Sequence, residues 1–140
     1  MVMNISRVLG VLVAAALAAS CGKDTPTTPT STTPTSPVTE SFVSQLSVKG
    51  TSSRSFAMPS RGSVSVTLSA TTPSGTVVGL GVGIPRANGS GCLLSTSLST
   101  EAASAPQIII DADTGDYCVQ IYDLGTLTDP ISFTIAIVHP

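Results

Sequence analysis

Between Gly62 and Ala70 the chain alternates strictly: Val64, Val66 and Leu68 fall between Ser63, Ser65, Thr67 and Ser69. A period of two sets the apolar side chains on one face of an extended strand and the hydroxyls on the other. The pattern recurs where Ile131, Phe133, Ile135 and Ile137 alternate with Ser132, Thr134 and Ala136, and where Tyr117, Val119 and Ile121 alternate with Cys118, Gln120 and Tyr122. Residues 76–84 are a variant, with Val78, Leu80, Val82 and Ile84 on one face and Val77, Gly79, Gly81 and Gly83 on the other. Interior glycines mark bulges or close backbone approach, so this face is expected to be tightly covered, the alternative being a surface that receives a ligand. Further strands are predicted at 42–48, 53–58, 92–98 and 107–111, with a single turn at Ser99–Ala105. Some eight short strands in about 100 residues, each with one apolar face, predict a two-sheet antiparallel β-sandwich, because one open sheet would leave its apolar face wet.

The apolar run Val8–Ala19 is 12 residues long and follows Arg7. It falls short of the roughly 20 residues that a helix needs to cross a bilayer, and it fits the apolar region of an export signal. Its end, Leu17-Ala18-Ala19-Ser20-Cys21, resembles the lipobox of bacterial lipoproteins. That resemblance implies cleavage before Cys21 and a diacylglycerol on its thiol. Ala16-Leu17-Ala18 also fits an ordinary signal-peptidase site, which would leave a soluble product. Gly22 stands where Asp favours inner-membrane retention in well-studied lipoproteins, so the resemblance points to a lipid-anchored protein of the outer membrane, on either its periplasmic or its surface side. If lipid consumes Cys21, two cysteines remain, Cys92 and Cys118, in a compartment oxidising enough to bridge them; the alternative is two buried free thiols.

Residues 21–40 read as a tether after the signal segment 1–20. From Asp24 to Thr39 the chain is nearly all Thr, Ser and Pro, with too little apolar surface to offset the entropy of ordering. Its prolines favour an extended stalk of roughly 50 Å. Residues 41–140 are then one domain. Charged residues make up only 10% of the chain, and loss of residues 1–20 removes Arg7 and moves the net charge from −2 to −3. Lys49, Arg54, Arg61 and Arg86 are scattered, which excludes the clustered basic surface that nucleic acid requires.

Ser55-Phe56-Ala57-Met58 leads through a turn to Gly62–Leu68, and a later Gly115-Asp116-Tyr117 strand precedes Phe133-Thr134-Ile135. This order over 42–138 resembles the bacterial pre-peptidase C-terminal domain, which implies a jelly-roll β-sandwich that accompanies hydrolases or surface proteins without being catalytic. No peptidase domain accompanies it here, and the cysteine pair is additional to the family pattern.

Asp111, Asp113 and Asp116 with Gly115 suggest a calcium loop, with Asp123 or Asp129 as added ligands. An EF-hand is excluded because its twelfth position is Tyr122. The alternative is an Asp/Gly turn entering the Tyr117 strand, so no metal or other cofactor is favoured. His139, the only histidine, is penultimate and expected to fray, which argues against a Ser–His–Asp arrangement. Of the rings, Phe42, Phe56, Phe133 and Tyr117 have core parity, which leaves Tyr122 as a lone exposed aromatic. The functional expectation is a non-catalytic envelope module on a lipid anchor, displaying a surface to a protein or polysaccharide partner. A structural or assembly accessory is the alternative, and a small hydrolase the third reading.

Overall fold

The computed structural model describes residues 36–140. The export segment, Cys21 and the tether as far as residue 35 lie outside the described residues. Eight strands follow in order: β1 (Val38–Leu46), β2 (Thr51–Met58), β3 (Gly62–Thr72), β4 (Val78–Pro85), β5 (Cys92–Thr100), β6 (Ile108–Ala112), β7 (Gly115–Tyr122) and β8 (Ile131–His139). They form two four-stranded antiparallel sheets, ordered β1-β8-β3-β6 and β2-β7-β4-β5. Consecutive strands alternate between sheets except at the β4–β5 hairpin, which is the strand order of a jelly roll. The all-β sandwich predicted from the alternation is the observed fold.

The first strand begins at Val38, inside the stretch read as tether. Val38 and Thr39 are exposed and gain only their pairing with His139 and Val138. At the other end of the strand, Val48 lies beyond β1, in the turn. Ser99–Ala105 does not form the expected turn. β5 runs to Thr100, and the chain then passes along β3, with Ala103 N–H donating to Leu68 O (2.9 Å) and Gln107 N–H to Val66 O (3.1 Å). The Gln107 amide also accepts from Leu68 N–H at 2.8 Å and donates to Leu68 O at 3.2 Å, standing in for a strand beside that residue.

Val64, Val66, Leu68, Val78, Leu80, Val82, Val119, Ile121, Ile135 and Ile137 are completely buried between the sheets. Each such side chain contributes roughly 1.5–3 kcal/mol, so these positions dominate stability. Phe133 meets the Phe42 ring edge-on at 5.0 Å. Two bulges interrupt the alternation. The register of β3 shifts between Leu68 and Ala70, which turns Thr71 inward. The Thr71 hydroxyl is buried there without a hydrogen-bond partner. In β5, Thr96 faces Val82 while Leu94 faces Gly83, so Ser95 is the extra residue; its hydroxyl donates to Val82 O at 3.1 Å.

Ile84 has core parity yet is 51% exposed, together with its cross-strand partner Leu93 at 56%. Both sit near the hairpin end of their strands, and the buried core includes neither.

Cys92 and Cys118 are disulfide-bonded, their Cα atoms 6.0 Å apart, within the usual span of a bridge. The bridge ties edge strand β5 to inner strand β7 across a separation of 26 residues. The paired substitution Cys92→Ala, Cys118→Ala is expected to cost about 3.5 kcal/mol by loop-closure entropy, read as a lower calorimetric melting temperature. Thr71→Val keeps the shape and removes the unpartnered hydroxyl; it is expected to stabilise the domain by about 1 kcal/mol in urea denaturation.

Candidate functional site

Antiparallel pairing sorts the loops between two ends of the sandwich. Val38 pairs with His139, Gly62 with Ala112, Met58 with Gly115 and Pro85 with Cys92, so these residues share one end. Leu46 pairs with Ile131, Thr72 with Ser132, Thr51 with Tyr122 and Val78 with Thr100 at the other. The chain therefore enters the domain and leaves it at one end. The β1–β2, β3–β4, β5–β6 and β7–β8 loops lie together at the opposite end.

That opposite end is organised by one carboxylate. Asp123 follows β7, and its Oδ1 accepts from the backbone N–H of Gly125 (2.8 Å), Thr126 (3.0 Å) and Leu127 (3.1 Å). Its Oδ2 accepts from Lys49 N–H at 2.7 Å, and its own N–H donates to Gly50 O at 3.1 Å. One side chain thus folds the β7–β8 loop and fastens it to the β1–β2 turn, where Lys49 holds a positive φ of 56°. Desolvation pushes the Asp123 carboxyl up. The N–H donors of Lys49, Leu127, Gly125 and Thr126 outweigh it and hold the group below the usual carboxylate range.

Beside this loop lies an open cleft of about 220 Å³, lined by Pro73 and Thr76 from the β3–β4 loop and by Thr126–Asp129 and Ile131. The Thr72–Pro73 peptide bond on its wall is cis. Its lining combines threonines and one aspartate with the apolar Pro73, Leu127 and Ile131. The volume is below the roughly 300–1,000 Å³ of small-molecule pockets, so the cleft suits a protruding group of a larger partner better than an enclosed ligand.

The aspartates of the suggested calcium loop are not brought together. β6 and β7 belong to different sheets, so the outward side chains of Asp111 and Asp116 leave from opposite faces of the sandwich. Asp113, in the connection, pairs with Arg61 at 3.5 Å, both 79% exposed. Asp123 and Asp129 lie at the other end of the molecule, and Asp123 is already surrounded by N–H donors, the opposite of a cation's needs. Among the described residues no group of three or more His, Cys, Asp or Glu is placed to hold a metal.

His139 does not fray. It is 5% exposed in the last pair of the β1–β8 ladder, its ring centroid 5.1 Å from that of Phe56. Nδ1 faces Pro140 O at 3.0 Å and Nε2 faces Glu40 Oε1 at 3.3 Å. Both partners are acceptors, so whichever nitrogen carries hydrogen donates to one of them, and no hydroxyl is among the partners. Glu40 also meets Arg54 Nε at 3.4 Å. Glu40 and Arg54 have inward parity on β1 and β2, edge strands of opposite sheets, and close the rim of the core there.

Tyr122 is not an exposed platform. Its half-buried ring lies over Gly79, where any Cβ would collide with it, and Leu94 lies over Gly81 in the same way. Gly83 meets the Leu93 carbonyl at the β5 bulge. The glycine face is thus covered, as the tight-cover reading expects. Tyr117 is half-buried and stacks on Phe56 with centroids 6.0 Å apart. Sequence reasoning named Asp123 only as an added calcium ligand, not as the acceptor that folds its loop, and it passed over the Glu40–Arg54–His139 group. Asp123-Leu124-Gly125-Thr126 after a strand is a legible Asx-turn signature, whereas the triad needs the topology.

No protein-family model matches the chain, and no curated protein is significantly similar to it.

The lowered Asp123 pKa makes a prediction with a definite sign. The unfolded chain takes up a proton on this residue at higher pH than the folded chain does. The stabilisation is therefore whole above the ordinary carboxylate pKa of about 3.9 and is lost as pH falls through the lower folded value. Asp123→Ala is expected to melt at lower temperature than the parent at pH 7, with the gap narrowing on acidification; thermal melts across pH 2–7 read it directly.

Proposed function

We propose that this chain is a non-catalytic, lipid-anchored protein of the cell envelope. Cys21 carries the lipid, residues 24–39 act as a stalk, and the β-sandwich presents its far loops to a protein or polysaccharide partner. The observation that carries this reading is the separation of the two ends. The described chain enters the sandwich beside His139, while the cleft and four loops lie at the other end. A domain tethered through Val38 would turn those loops away from the membrane. Loops at one end of a β-sandwich are a common place for recognition, because a stiff core sets their positions.

The anchor itself rests on the lipobox-like run ending at Cys21 and on cysteine parity. The Cys92–Cys118 bridge supports both, since it accounts for two of the three cysteines and fits an oxidising compartment. The jelly-roll strand order supports a likeness to pre-peptidase C-terminal domains. The acceptor partners of the His139 ring and the small open cleft favour binding over hydrolysis.

Intact mass of the membrane-extracted protein tests the reading. It is expected to show loss of residues 1–20, added acyl mass, and two hydrogens fewer for the bridge, with Cys21→Ser abolishing the acylation. A soluble, unacylated product with three titratable thiols overturns it.

A further inference from the structure

The four edge strands of the sandwich are not alike. Glu40 on β1, Arg54 on β2 and Asp111 on β6 each put a charge on an edge. Glu40 and Arg54 also point inward, a device that discourages another chain from adding to the sheet. β5 has no such guard. It is nine residues long and carries no charge and no proline. Its one irregularity, the bulge at Ser95, leaves Thr96–Thr100 as a regular stretch paired on one side with β4 and, among the described residues, with no strand on the other. The charge-free run extends from Ala87 to Thr100, and it is bounded by Arg86 at one end and Glu101 at the other. Beside it lies an apolar hollow of about 480 Å³, lined by Ile84, Pro85, Leu93 and the hairpin residues Arg86, Ala87 and Asn88.

We propose that β5 is a self-association edge, on which a second copy of this chain adds its own β5 antiparallel to form a continuous eight-stranded sheet about a two-fold axis through Leu98. A two-fold sets each strand against itself in reverse. In this register Leu98 faces Leu98 of the second copy, Thr96 faces Thr100, and Ser97 faces Ser99. Like meets like on both faces, and Thr–Thr pairs are among the favourable cross-strand combinations. The run Thr96-Ser97-Leu98-Ser99-Thr100 reads the same in both directions, so in this register the strand matches itself, and Glu101 falls opposite Ser95 with no like charge against it. An unrelated charged peptide would find no counter-charge along this edge, which favours a second copy over a foreign strand. The proposal stands independently of the anchor reading.

Sedimentation of the full chain in a non-ionic detergent, at increasing protein concentration, reads the association. Ser97 and Ser99 are exposed, so their substitution leaves the core intact. Ser97→Lys with Ser99→Lys sets like charges opposite each other twice in the interface and is expected to weaken the dimer at least about tenfold. Ser97→Lys with Ser99→Glu sets opposite charges at the same two places and is expected to restore it. Melting temperatures matched to the parent show that both variants fold. A parent that stays monomeric at every concentration overturns the proposal. So does a dimer indifferent to the like-charge pair, and so does an opposite-charge pair that fails to restore association, because the register is then wrong.

Discussion

The molecule depends on the burial of one apolar face of the inner pair β3–β8 against one apolar face of the inner pair β7–β4. Among the largest completely buried side chains, all but Leu46 come from these four strands. The magnitudes explain the hierarchy. Each buried aliphatic side chain contributes roughly 1.5–3 kcal/mol, while an exposed ion pair such as Arg61–Asp113 contributes about 0–1 kcal/mol. Edge strands add little to the core and are free to carry other properties. They hold the inward charges at the β1/β2 rim and the uncharged hydroxyl ladder of β5.

That division decides what could be read from the residues alone. Val64, Val66 and Leu68, or Ile135 and Ile137, announce themselves because an inner strand must keep a period of two for its whole length. The bridge was legible by counting cysteines. Tyr122 was not, since its ring serves the outer surface by covering Gly79, and nothing in the local pattern separates that role from exposure. Ile84 continues the core parity of β4 past the point where the core extends to meet it. Strand periodicity carries no information about the reach of the facing sheet. The bulges at Ser69 and Ser95 are likewise silent, because serine fits a regular or a bulged position equally well.

The aspartates show a different failure. Asp111 and Asp116 are five residues apart, and sequence proximity suggests one site. In a jelly roll consecutive strands usually change sheets, so outward side chains on either side of a connection leave from opposite faces. Proximity in the chain then implies separation in space. The converse holds for Glu40 and His139, 99 positions apart yet in contact, because the first and last strands pair.

The same topology gives the two ends of the domain different means of fixing their chain. At the end where the chain enters and leaves, β1 is an edge strand with β8 as its one ladder partner, and a pull through Val38 would act on the first pairs of that ladder. Glu40 lies two residues inside β1 and joins β8 through His139 and β2 through Arg54, while Pro140 packs on Gly62 of β3. Fastening therefore concentrates at the end where the described chain enters the sandwich. At the other end no ladder fixes the loops, and Asp123 sets their position by spending one carboxylate on four backbone donors. Neither device needs a larger core, which suits a domain of about 100 residues whose charged content is only 10%.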